Sequence, residues 1–315
     1  LKMENPTNLF SRKPHQASGV FPIIRGLIGD MIGPNSPMPI MDLRNGKDEL
    51  QFLKRNDLEE LSTRGTASPD HVIRIKGRPL VLRESVWSRG REAIKEELDK
   101  YAKEYKAMFE RQAPQADQPK TMLPTDPKKM WMEGIGLIGL GANAKAASIA
   151  GDLVVQNARV RAIGEDAGGF RPISEKDLFD CEYWSLEQAK LGKGAPPKVQ
   201  GKIVMITGGS GTIGFAIAKA FSKLGAQTIL VDKDEIALKE SVTKLGVGHK
   251  YFPIDVTHSD AANQALLAAI NNFGGLDILI SNAGAAHAGP MLDISNEELR
   301  NAFELNFFSH YSFST

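Results

Sequence analysis

The residues with the clearest chemical use lie between Thr207 and Gly214, which read Thr-Gly-Gly-Ser-Gly-Thr-Ile-Gly. The short apolar run 202–206 precedes them and the amphipathic segment 215–224 follows, so the glycines sit on a strand–turn–helix junction. Gly209, Gly211 and Gly214 satisfy Gly-x-Gly-x-x-Gly. Glycine permits the tight turn and lets a pyrophosphate reach the backbone, while the helix start offers free N–H groups and the positive end of its dipole. Gly208, Ser210, Gly211, Thr212, Ile213 and Gly214 are therefore candidates to cradle a diphosphate. The next strand, 227–231, runs into Asp232, roughly twenty positions beyond the first glycine. A carboxylate there accepts hydrogen bonds from ribose hydroxyls and repels a 2′-phosphate, which favours NAD over NADP. Lys233 beside it is a basic residue that such a phosphate could use.

The elements that must position these residues follow from the pattern around them. Strands over 250–254 and 276–280 run into Asp255-Val256 and Ser281-Asn282-Ala283-Gly284, with a helix over 261–273 between them. Alternating strands and helices predict a parallel sheet. With its four strands ordered 3-2-1-4, every candidate residue falls at a carboxyl end, where open parallel sheets form their binding crevice.

Upstream the pattern changes. The first forty residues are rich in Pro, Gly and Asn and read as irregular. A charged, mixed stretch over 43–61 predicts a helix, and Val72-Ile73-Arg74-Ile75 a short strand. Ile94, Leu98, Tyr101, Tyr105 and Met108 form one apolar stripe, which predicts a helix over 92–111. Four prolines then mark a loop over 113–129. Gly134, Gly136, Gly139 and Gly141 alternate with apolar residues and read as a close-packed strand and turn, followed by a helix over 143–163. A helix over 177–191 and a linker over 192–197 complete this part. The boundaries are thus 1–197 and 198–315.

Composition narrows the function classes. The 315 residues are 42% hydrophobic and 24% charged, with 39 basic against 38 acidic side chains. A balanced charge gives no reason to expect a nucleic-acid or anionic-membrane partner. The single cysteine, Cys181, excludes an internal disulfide framework and suits a cytoplasmic setting. No stretch approaches the ~20 apolar residues of a membrane span.

With these residues in view, 200–315 resembles the first half of a short-chain dehydrogenase/reductase. The matching residues are the Thr207–Gly214 turn, Asp232, Asp255-Val256, Asn282-Ala283-Gly284 and Asn306 within Phe-Glu-Leu-Asn-Phe. The resemblance implies that Asp255 and Val256 hold an adenine ring. It implies that Asn282, Ala283 and Gly284 line the ribose–nicotinamide path, and that Asn306 is the catalytic-site asparagine supporting a water in a proton relay. The family's usual turn is Thr-Gly-x-x-x-Gly-x-Gly, whereas position 212 is Thr here. This spacing also resembles the extended branch, which includes nucleotide-sugar epimerases and dehydratases. The family's catalytic Ser and Tyr-x-x-x-Lys lie beyond its asparagine. No Tyr-x-x-x-Lys occurs within 201–315.

The stretch 64–190 resembles the N-terminal half of bifunctional aldolase/short-chain dehydrogenases. The matches are Arg64-Gly-Thr-Ala-Ser-Pro-Asp-His-Val-Ile-Arg-Ile-Lys76, Gly134–Gly141 and Phe179–Leu191. Aldolases of this class use a divalent metal, usually zinc, held by histidines. Only His15 and His71 lie in this half, and no His-x-His pair occurs in the chain. Paired ligands are therefore expected before Leu1, and zinc only in a complete aldolase domain. Ile135 stands where the family's later metal histidine falls, which leaves His71 as the metal candidate.

The sequence thus describes an α/β chain with two parts. A Rossmann-type doubly wound parallel sheet, incomplete, is preceded by part of a class II aldolase-like domain, as an interior piece truncated at both ends. The expected activity is NAD-dependent oxidation or reduction of a sugar-derived alcohol or carbonyl, in rhamnose or deoxysugar breakdown. The full-length protein is expected to be a cytoplasmic homo-oligomer, and the chain as it stands to bind cofactor with little turnover and to associate through exposed apolar side chains. The alternatives are a non-catalytic NAD-binding module and an extended-type epimerase or dehydratase.

Overall fold

A computed structural model describes residues 15–186, 195–286 and 289–315. The chain divides into two compact units, one of Gly19–Pro196 and one of Pro197–Thr315 to which the described residues up to Ser18 are also assigned.

The first unit is built on a four-stranded sheet of order β1-β4-β3-β2, formed by β1 (Ile40–Arg44), β2 (Leu80–Leu82), β3 (Lys129–Met132) and β4 (Gly136–Gly141). Two of its pairings are antiparallel, and β2 lies parallel to β3. The helices are α1 (His15–Ile32), α2 (Lys47–Phe52), α3 (Leu58–Thr63), α4 (Val72–Ile75), α5 (Glu84–Trp87), α6 (Arg91–Gln112), α7 (Ala144–Asp166) and α8 (Glu175–Glu182). Gly134, at φ +76°, turns the β3–β4 hairpin. Asn143 caps α7, its side chain accepting from Ala146 N at 2.9 Å. A Cβ on Gly139 would come within 2.6 Å of Ala147 O, so the glycines of β4 are what lets α7 lie directly on the strand. Phe52 meets the Trp131 ring edge-on at 4.9 Å in the core beneath.

Several expectations fail here. The reputedly irregular N-terminal stretch contains α1, whose buried Phe21, Ile24 and Ile28 recur at helical spacing despite Pro22 and three glycines. Val72–Ile75 is a helical turn, because burying Val72 and Ile75 together requires an i,i+3 face. The 43–61 helix is replaced by the end of β1 and two short helices. β1 pairs antiparallel with β4, some hundred residues along the chain, and that pairing overrides local propensity. Residues 187–194, part of the expected last helix and linker, lie outside the described residues, as do the first fourteen.

The second unit carries β5 (Ile203–Thr207), α9 (Thr212–Lys223), β6 (Gln227–Asp232), α10 (Glu235–Leu245), β7 (Lys250–Pro253), α11 (Ala261–Phe273) and β8 (Ile278–Ile280). The sheet order is β7-β6-β5-β8 with every pairing parallel, which is the predicted 3-2-1-4. Fully buried β5 packs with Ala218 of α9 and Leu238 of α10. Beyond β8 the chain forms α12 (Asn296–Phe303), a π-helical turn (Glu304–Phe308) and α13 (Ser309–Ser314). Phe303, Phe307, Phe308 and Tyr311 are exposed on this segment. Leu305 is half-buried. Among the described residues no helix is long and apolar enough to cross a membrane.

Candidate functional site: a cleft at the carboxyl ends of β5 to β8

Parallel pairing brings the ends of β5, β6, β7 and β8 together, and a cleft of about 830 Å³ opens over them. Gly208, Gly211, Thr212, Ile213, Gly214, Asp232, Asp255, Val256, Asn282, Ala283 and Gly284 all line it. Two of the glycines are required by shape. Gly208 has φ +63°, and a Cβ there would stand 2.9 Å from Ala283 Cα. A Cβ on Gly214 would run into Gly208 O, so α9 could not start against the turn. This leaves an open backbone cradle at the N-terminus of a twelve-residue helix, a fit for a pyrophosphate.

Ser210 does not face the cleft. Its Oγ donates to Asp232 Oδ2 at 2.6 Å and its N–H donates to the same oxygen at 3.2 Å. Asp232 Oδ1 accepts from Lys233 N at 2.8 Å. The carboxylate is thus held at the cleft edge between the glycine turn and β6. Asp255 accepts from Thr257 N at 3.0 Å and Thr257 Oγ1 at 2.7 Å, and these hydrogen bonds hold its carboxyl below the usual range.

On the other side, Thr207 Oγ1 accepts from Asn282 N at 2.9 Å and Ala283 N at 3.0 Å. Asn282 Nδ2 donates to Thr207 O at 3.0 Å, so the end of β5 and the loop after β8 are stitched together. Asn306 lies in the π turn. Its Oδ1 accepts from Ala285 N at 3.1 Å and its Nδ2 donates to Ala285 O at 2.9 Å. Thr257, Glu304 and His310 were not singled out as site residues by the sequence, whereas Thr207 was read with the glycine turn and Lys233 as a basic neighbour of Asp232.

His71 belongs to the first unit, on a single 3-10 turn, and its Nδ1 accepts from Asn157 Nδ2 at 3.2 Å. Among the described residues no three or more His, Cys, Asp or Glu side chains converge as ligands. Zinc takes three or four protein ligands, so the described residues do not fit a zinc site.

The fold and cleft define a Rossmann-like parallel α/β unit that follows a separate mixed-sheet domain in the chain. Residues 15–191 match the family described as aldolase class II, second domain, and residues 202–315 match short chain dehydrogenase. The chain belongs to the proteins in which an aldolase class II domain is followed by a short-chain dehydrogenase. Uncharacterized oxidoreductase YuxG of Bacillus subtilis is 27% identical over 292 residues, covering 89% of this chain and 41% of that protein. Galactitol 2-dehydrogenase of Agrobacterium fabrum is 31% identical over 109 residues, 35% of this chain and 43% of that protein. A solved structure of a glucose/ribitol dehydrogenase-type short-chain dehydrogenase/reductase from Brucella melitensis is 28% identical, with a TM-score of 0.35. It covers 36% of this chain and 49% of that one. The chain spans less than half the length of these relatives.

Proposed function

We propose that residues 202–315 bind NAD for an oxidoreductase acting on a sugar-derived alcohol or carbonyl, in a cytoplasmic protein that also carries the aldolase domain. The cradle at Gly208–Gly214 and the carboxylate of Asp232 lie on one cleft, and this arrangement supports a dinucleotide with a free ribose 2′-hydroxyl. When bound, the nicotinamide supplies or accepts the hydride. The residues of this chain bind and orient it: the glycine turn takes the pyrophosphate, Asp232 the adenosine ribose, and Asp255 with Val256 the adenine. Asn282, Ala283 and Gly284 border the nicotinamide half. No Tyr-x-x-x-Lys occurs within 201–315, so proton transfer is assigned to none of these residues. The aldolase class II match and the galactitol 2-dehydrogenase relative support a sugar-derived substrate. The exposed aromatic side chains on α12 and α13 support a homo-oligomer, and neither nucleic acid nor membrane enters the proposal.

Titration with NADH, followed by nicotinamide fluorescence, tests this. The chain should saturate with NADH and Gly214→Val should not, because its side chain would collide with the Gly208 carbonyl and break the turn that forms the cradle. Equal NADH binding by both would overturn the site.

A further inference from the structure

The loop 281–285 forms one wall of the cleft and is held from two sides. Toward the sheet, Asn282 is fixed to Thr207 and Gly208. Toward the helix, Asn306 holds Ala285 through both backbone atoms. One helical turn later, half-buried His310 reaches back to the same loop. Its Nε2 is 2.8 Å from Ala283 O and its Nδ1 is 2.8 Å from Ser281 Oγ. A carbonyl only accepts, so Nε2 carries the proton, and in the neutral ring Nδ1 accepts the Ser281 hydroxyl proton. His310 therefore spans Asn282, tying the residues before and after it to the helix.

We infer that His310 is a positioning residue, one that sets the nicotinamide-side wall of the cleft. The inference rests on the dinucleotide reading above. Sheet order separates the two halves of the cleft: Asp232 ends β6 and Asp255 follows β7 on one side of β5, and the 281–285 loop follows β8 on the other. His310 touches only the second half. Its loss should release Ala283 and Gly284 while leaving the adenosine side and the glycine cradle in place. The π turn contributes by bringing Asn306 and His310 to bear on one short loop, a local irregularity of a kind that gathers at functional sites.

A comparison of NADH with ADP, which occupies only the pyrophosphate and adenosine side, tests this on the full chain. His310→Phe keeps a ring and removes both nitrogens. It should bind NADH about tenfold more weakly while ADP affinity stays within about twofold, since two part-buried hydrogen bonds are lost on one side only. His310→Gln can still donate to Ala283 O and should recover most of the NADH affinity. Ser281→Ala removes one of the two bonds and should fall between the two, which keeps the test decisive if the Phe variant does not fold. Unchanged NADH binding in these variants overturns the inference alone. An equal loss of NADH and ADP also overturns it, because that marks general damage. If the parent chain binds ADP but not NADH, or neither, the dinucleotide reading falls and the role of His310 with it.

Discussion

Ser210 Oγ and Asp232 Oδ2 stand 2.6 Å apart, so the acid proposed to meet a ribose is also the brace of the glycine turn. Gly209 N adds a bond to Val231 O at 3.1 Å, one residue before the acid. Turn and strand end are therefore joined, and a change at either should alter both the glycine turn and the position of the Asp232 carboxylate.

Thr207 closes the opposite side. Thr207→Val keeps the shape and removes the acceptor of two backbone N–H groups, which should cost about 2 kcal/mol or more in the second unit. Amide exchange at Asn282 and Ala283 should accelerate at least tenfold, and Thr207→Ser should restore protection. Unaltered exchange at both amides would show that the stitch contributes nothing.

In the first unit, Gly139→Ala should destabilise by roughly 1–3 kcal/mol, since α7 must lift from β4 to admit a methyl group. Gly19→Ala, in α1 with nothing within 4 Å of the added carbon, should stabilise by about 0.5–1 kcal/mol. Trp87, Trp131 and Trp184 all belong to this unit, so tryptophan fluorescence follows its unfolding separately. Shifts of the same sign in both variants would contradict the packing account.

The buried Lys76 gives the same unit a pH dependence. Its Nζ donates to Pro124 O and sits 3.8 Å from the centre of the Tyr105 ring. Burial pushes its pKa from 10.5 to about 8, while Asp126 and Glu182 pull it upward. Between those values the unfolded chain holds a proton that the folded chain has released, so stability rises with pH. The gain is roughly 2 kcal/mol from pH 8 to 10, and it is lost as pH falls through about 8. Fully buried Lys129, also pushed down, acts in the same sense. Burial raises Tyr101 and Tyr105, which reverses the trend above about pH 10. Urea unfolding at pH 8 and 10 should show the rise, and Lys76→Met should reduce it, leaving the part due to Lys129. A parent chain less stable at pH 10 than at pH 8 would refute this.

What the sequence disclosed and what it hid divide along a physical line. The second unit was legible because each strand is an apolar run, each turn carries glycine, and parallel order follows from alternation. The whole 207–214 turn could be placed before any coordinate. The first unit was not legible to the same degree. β1 exists because of a partner far along the chain, and α1 is masked by Pro22, Gly19, Gly26 and Gly29. His310 was hidden for a related reason: a histidine in a helix shows no partner until the loop it holds folds back onto it. Ser210, expected in the cradle, proved to serve it indirectly through Asp232.

The most direct test of the central claim is a side-by-side titration of NADH and NADPH with the parent chain and Asp232→Ala. NADH should bind the parent about tenfold more tightly than NADPH, and the gap should close in the variant as the carboxylate that repels a 2′-phosphate is lost. Tighter binding of NADPH by the parent would contradict the account, and would turn attention to Lys233 on the same edge of the cleft.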